Sequence, residues 1–170
     1  MRRKMKLWKP IAILLLVVIA GGAAYGYFKF TAPEIPPAAM KHFRGLAEIE
    51  FCSMDPNDNP EFSKTDYGLG KIDGFHIAGT ALASPEKLLN AIHAADRANN
   101  STAAACFWPR HAIRDPNNHE NYLLICFECL QCRYSFDGKS GLALITDKPR
   151  DLFNATIDEL KMDHYAGPAK

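Results

Sequence analysis

Ala103-Ala-Ala-Cys-Phe-Trp-Pro-Arg-His-Ala-Ile-Arg114 and Asn121-Tyr-Leu-Leu-Ile-Cys-Phe-Glu-Cys-Leu-Gln-Cys-Arg-Tyr134 are apolar stretches flanking Asp115-Pro-Asn-Asn-His-Glu120. Two β-prone runs around a cluster of turn residues read as a hairpin with a longer loop. An antiparallel sheet is therefore the expected frame. Upstream, Leu46, Glu48 and Glu50 alternate with Ala47, Ile49 and Phe51, which predicts a strand within Gly45–Met54. Residues 55–74, rich in Pro, Asn, Asp and Gly, read as a loop, and Phe75–Leu82 as a second strand.

Ser84-Pro85-Glu86 is a helix start: a capping hydroxyl, a proline at the first helical position and a carboxylate at the positive end of the dipole. Leu88, Leu89, Ile92 and Ala95 then form one apolar stripe, ending before Asn99-Asn100. Leu142–Thr146 is a short further strand after Asp137-Gly-Lys-Ser-Gly141. Leu152, Phe153, Ile157 and Leu160 mark a last helix over Pro149–Met162. The expected class is α+β, a mainly antiparallel sheet with two packed helices, preceded by an N-terminal transmembrane helix.

That N-terminal helix is read from residues 1–30, which hold six cations (Arg2, Arg3, Lys4, Lys6, Lys9, Lys29) and no acid. The full chain has 20 Lys+Arg and 19 Asp+Glu, so residues 31–170 keep 14 cations against 19 acids, a formal −5. A net acidic domain without a basic stripe argues against nucleic acid as a partner. Residues 10–28 are uncharged, about the length that crosses a bilayer. The cations before them keep the N-terminus in the cytoplasm, and Tyr25, Tyr27 and Phe28 suit the outer interface. Two main readings fit: an uncleaved signal-anchor, with the C-terminal domain outside the cytoplasm, or a secretory signal cut near Gly22-Ala23-Ala24; a buried soluble helix is the remaining alternative. Apolarity continuing through Phe28 and the lack of an A-x-A site favour the anchor.

Residues 1–30 are thus the cytoplasmic basic flank and membrane helix, 31–44 a Pro-rich linker of extended type, and 45–165 the extracytoplasmic domain.

Chemistry concentrates in the hairpin. Five cysteines are present, three of them as C-x-x-C-x-x-C at Cys126, Cys129 and Cys132. Zinc commonly uses C-x-x-C, but with a second ligand pair and a tight knuckle, whereas residues three apart in a straight strand face opposite sides. Folding about Asn117-Asn118 pairs residues whose numbers sum to about 235. That register puts Cys106 opposite Cys129 as a possible disulfide, and places Cys126, Glu128 and His111 together on the other face. Buried reduced cysteines are the alternative. Arg110, His111, Arg114, Cys126 and Glu128 then form a candidate polar cluster for an anion, a metal or an activated thiol. The bland counterpart is a set of buried hydrogen bonds and surface ion pairs. Phe107 and Trp108 read as core. The acidic run Asp55-Pro-Asn-Asp58 lacks the glycine and final glutamate of an EF-hand loop.

Cys106-Phe-Trp-Pro-Arg-His-Ala-Ile-Arg114 and Leu124-Ile-Cys-Phe-Glu-Cys129 resemble a group of small bacterial proteins with the pattern CFxPRHGIR, a loop, then ICFEC. The resemblance spans about residues 46–165. It implies a bacterial source, hence an inner-membrane anchor with the C-terminal domain in the periplasm, and a compact domain, and brings no activity with it. Ala112 stands at the usual glycine, and Cys132 is an addition to the pattern.

The resulting expectation is a membrane-anchored envelope protein with a non-enzymatic binding or accessory domain. An immunity protein for a secreted effector is one concrete form, with an envelope protein as partner. The rival is a thiol- or metal-dependent site built on Cys126 and His111.

Overall fold

The computed structural model describes residues 34–55, 69–98 and 107–163, without the side chains of 93–98. The expected membrane segment, residues 1–30, lies outside them, as does Cys106. All the described residues belong to one unit, Pro33–Lys170. Among them, no helix is long and apolar enough to cross a membrane.

The described residues form an α+β fold with an antiparallel curled sheet and three helices. The strands are β1 (Ile49–Asp55), β2 (Lys71–Ile72), β3 (Phe75–Ala83), β4 (His111–Asp115), β5 (Asn118–Cys126), β6 (Gln131–Phe136) and β7 (Lys139–Leu144). They lie in the order β2-β3-β1-β4-β5-β6-β7. The helices are α1 (Pro37–Gly45), α2 (Pro85–Ala98) and α3 (Arg150–Glu159).

Helix α1 replaces most of the expected extended linker. Its two prolines start the helix rather than stiffen a spacer: Pro36 is extended at the N-cap (φ −54°, ψ 133°), and a proline opens the first turn, where no amide partner is needed. Ala39, Met40 and Phe43 bury one face. Ile35, just before the cap, and Met40, in the first turn, enter the same apolar cluster, as in a hydrophobic staple.

The central hairpin forms, with a different register. Asp115 pairs with Asn118 across a tight turn, in which the Asn117 amide donates to Asp115 Oδ1 at 2.8 Å. A register shift between Arg114 and Asp115 follows, and His111 then pairs with Ile125, Ala112 with Leu124 and Arg114 with Tyr122. The expected pairing was one residue away. In a sheet such a slip moves every side chain to the opposite face.

The expected single strand over Asn121–Tyr134 is two strands. β5 ends at Cys126, and the chain reverses through residues 127–130, with Leu130 at φ 55°. The Ile145 amide donates to Leu130 O (2.9 Å), and Arg150 Nη2 to Phe127 O (3.2 Å). Two further hairpins turn on Asp-Gly pairs with both residues at positive φ: Asp73 (51°) with Gly74 (86°), and Asp137 (52°) with Gly138 (70°). That is the turn whose twist matches paired strands. The first of these creates β2 at the end of the expected loop.

The helices cover one face of the sheet. Phe51, Ile113, Leu123, Ile125, Cys132 and Ala143 pack there with Phe43, Leu88, Leu89, Ile92 and Phe153. Each fully buried aliphatic or aromatic side chain contributes about 1.5–3 kcal/mol. After α3 the chain crosses β3 at Gly79, where an added Cβ would lie 2.8 Å from Asp163 O.

Candidate functional site

On the opposite face, strand pairing aligns one residue from each of six strands. Leu82, Glu50, Arg114, Tyr122, Ser135 and Ser140 form a row running across the sheet. The neighbouring row is Thr80, Cys52, Ala112, Leu124, Arg133 and Leu142. Its centre is covered: Cys52, Ala112 and Leu124 are buried with Met54, Ile72 and Ile77, and Phe75, Phe107 and Tyr122 pack against them. The first row stays polar, bounded by the exposed Leu82 and, in the second row, Leu142.

Glu50 gathers the polar contacts at one end of that row. Arg114 donates to it twice, Nε to Oε2 at 2.7 Å and Nη2 to Oε1 at 2.9 Å. The Thr80 hydroxyl donates to Oε1 at 2.8 Å, and His119 Nε2 lies 3.8 Å from Oε2. Burial alone raises the Glu50 pKa, but hydrogen bonds from Arg114 and Thr80 outweigh it and hold the carboxyl below its usual range. The same hydrogen bond raises Arg114. The Cys52 thiol is pushed up to about 12, first by burial and then by the Glu50 charge. A thiol that stays protonated is a poor nucleophile. An open cleft of about 340 Å³, lined by Glu50, Thr80, Leu82, Pro116 and His119, lies over this end.

At the other end Arg133 donates to Asp73 Oδ2 at 3.0 Å, and its guanidinium sits 4.1 Å above the Phe107 ring. Asp73, Tyr122, Arg133, Ser140 and Leu142 line a second cleft, of about 330 Å³. Burial, then the charges of Asp73 and Glu120, raise the Tyr122 phenol.

The residues singled out from sequence are distributed differently. Arg110 and Glu128 meet as a half-exposed ion pair at 3.3 Å. His111 is buried on the helix side, where Phe51 stacks on it (6.2 Å, 16°) and Phe127 and Phe153 approach edge-on at 5.4 Å. Its Nε2 lies 3.0 Å from Asn154 Oδ1. Cys126 follows Ile125, the cross-strand partner of His111, so alternation turns it to the other face.

Cys126 is disulfide-bonded to Cys129, with Cα atoms 5.3 Å apart, and the Cys129 amide donates to its sulfur at 3.1 Å. This displaces the expected Cys106–Cys129 bond: the turn over residues 127–130 swings Cys129 back onto Cys126, which a straight strand does not allow. Cys52 and Cys132 are buried thiols. Trp108, expected in the core, is 52% exposed. Among the described residues, no group of three or more His, Cys, Asp or Glu side chains is gathered as a metal site requires.

Arg114 alone of the candidate cluster belongs to the row. Its partner Glu50 lies 64 positions away in sequence, and Thr80, which also donates to Glu50, lies 30 from that carboxylate; only the β3-β1-β4 strand order brings the three together. The alternation around Glu50 carried the one signal, a polar position on a strand face. No family model, curated protein or solved structure matches the chain.

Proposed function

We propose that this chain is a membrane-anchored envelope protein whose α+β domain acts outside the cytoplasm by binding a ligand or partner on the helix-free face of its sheet. The observation that carries the binding reading is the Leu82–Ser140 row, which sets fixed polar groups between two open clefts. Binding is favoured over catalysis by the state of its groups. Glu50 is held ionised and engaged by Arg114 and Thr80, which makes it a weak base, and the Cys52 thiol is held protonated. The envelope location rests on the cationic leader and uncharged residues 10–28, and the Cys126–Cys129 bond supports an oxidising compartment.

Two measurements test the reading. A reporter fused after Lys170 is expected to work only outside the cytoplasm, and activity confined to the cytosol overturns the location. A photo-crosslinking amino acid at position 82, placed in the full chain in its membrane, is expected to trap one envelope component. Absence of any adduct there, with none from position 142, removes the binding face.

A further inference from the structure

The two ends of the sheet are built differently. At one end β2 and the Gly70 carbonyl take up the start of the β3 edge, and the pairing of β3 with β1 is irregular between Ser53 and Met54. Short outer strands and bulges of that kind discourage other chains from adding to an edge. At the other end β7 pairs with β6 through six consecutive residues without an irregularity. It contains no proline, and its one charge is Lys139 at its first position.

The hydrogen-bond phase of β7 decides which groups it offers. Just past the strand, the Ile145 amide donates to Leu130 O at 2.9 Å, on the β6 side. Backbone groups alternate sides along a strand, so Lys139, Gly141 and Ala143 also face β6, and the amides and carbonyls of Ser140, Leu142 and Leu144 face outward. Among the described residues no backbone group pairs with them. Leu142, the middle of the three, also carries an exposed side chain, at 37%.

Three outward residues spaced evenly about Leu142 are self-complementary. A second β7 laid antiparallel puts Leu142 opposite its own mate and Ser140 opposite Leu144 of the other copy. Each of the three pairs then exchanges two hydrogen bonds, and any other antiparallel register keeps fewer pairs. The same register seats the two exposed Leu142 side chains against each other. It also holds the two Lys139 ammoniums about 20 Å apart along the strands, so no like charges are opposed.

We infer that β7 is a docking edge for a second copy of this chain, and that two domains join through it into one continuous sheet centred on Leu142. Leu142 also lines the Arg133 cleft, so the mate of that leucine becomes a neighbour of the cleft. A single strand edge is a small contact beside the roughly 1,200–2,000 Å² of a stable interface. The pairing therefore relies on two anchored copies sharing one membrane, where their effective concentration is high. For that concentration, and not for its geometry, the inference rests on the membrane anchor proposed above.

Cysteine placement tests the register in the full chain, in its membrane, under mild oxidation and with the unsubstituted chain as blank. In a hydrogen-bonded antiparallel pair the Cα atoms lie about 5.5 Å apart, within disulfide reach. Leu142→Cys is therefore expected to give a linked dimer on a non-reducing gel. Ser140→Cys and Leu144→Cys should each lose that link alone and regain it together in one chain. As a second readout, two differently tagged copies should co-purify from membranes. Leu142→Lys in both copies should abolish this, and L142K with L142E should restore it. Unlinked L142C, a link from S140C or L144C alone, or failure of the Lys–Glu combination to restore co-purification overturns the inference. A link from L142C to a different polypeptide also overturns it, and gives the edge to a foreign strand. If L142C stays unlinked while the reporter after Lys170 works outside the cytoplasm, the pairing falls and the envelope reading stands. If the link forms while the reporter works only in the cytosol, the location falls and the pairing stands.

Discussion

Arg114 grips Glu50 through two parallel hydrogen bonds of 2.7 and 2.9 Å, with 9% and 15% of the two side chains exposed. A fork of that geometry needs the guanidinium plane, and a lysine presents only a point charge. Arg114→Lys is therefore expected to lower the unfolding free energy, and Glu50→Gln to lower it further, by about 3 kcal/mol, because the latter strands a nearly buried cation. The folded pKa of Glu50 is depressed despite burial, so its stabilisation is fully present above the unfolded value of about 4.3 and is lost as pH falls through the folded one. Urea unfolding from pH 6 down to pH 2.5 checks this. E50Q should flatten part of the acid limb, and an unchanged limb would show that the pair adds nothing.

His42 joins α1 to the central hairpin, its Nε2 lying 2.7 Å from Asp115 Oδ2. The histidine sits between Phe43 (5.5 Å) and Phe136 (5.1 Å), and the carboxylate is 4% exposed. Burial raises Asp115, but the Asn117 amide and the His42 ring more than offset this, leaving its carboxyl below the usual range. His42→Ala is expected to cost on the order of 1 kcal/mol. The loss should appear first as faster hydrogen exchange across residues 37–45, since this contact pins the one helix that follows the proposed anchor directly. Uniform acceleration over the whole domain would contradict a local clasp.

The strand at Ile49–Asp55 and the helix at Pro85–Ala98 were legible because their signals are local: alternation in the first, and a cap, a proline and an apolar stripe in the second. The site was not. A single irregularity between Arg114 and Asp115 resets the β4–β5 register, so Ile125 lies opposite His111 and Cys126 turns to the other face, while the pairing of β4 with β1 sets Arg114 opposite Glu50. The reversal at residues 127–130 was hidden because Phe-Glu-Cys-Leu carries no Gly, Pro, Asn or Asp, and Leu130 takes the positive φ that usually marks glycine. Helix α1 was missed where proline content outweighed the stripe of Ala39, Met40 and Phe43.

Gly79 and Gly45 should respond oppositely to a methyl group. At Gly79 a Cβ meets the Asp163 carbonyl oxygen at 2.8 Å and its nitrogen at 3.1 Å, both backbone atoms that yield only if the post-helix segment moves. Gly79→Ala is expected to destabilise by about 1–3 kcal/mol. At Gly45, the last residue of α1, nothing lies within 4 Å and φ is not positive, so Gly45→Ala should stabilise by up to about 1 kcal/mol. Paired denaturation curves read both. A neutral G79A would mean that the segment after α3 does not press on β3.

The Cys126–Cys129 bond closes a very short loop, which limits what it can contribute. Loop-closure entropy for about four residues amounts to ~2 kcal/mol, well below that of a long-range bridge. Reduction is therefore expected to lower stability by about that much without unfolding the domain, because the two main apolar clusters are built from other residues, though both cysteines are themselves buried. Cys126→Ser with Cys129→Ser should make stability indifferent to reductant. Non-reducing peptide mapping should recover residues 126 and 129 linked within one peptide. Recovery of Cys129 joined to Cys106 would mean that the turn at 127–130 is not the resting arrangement. β5 would then run on past Cys126, and the pairing of β6 with β5 that places Arg133 beside Asp73 would be lost with it.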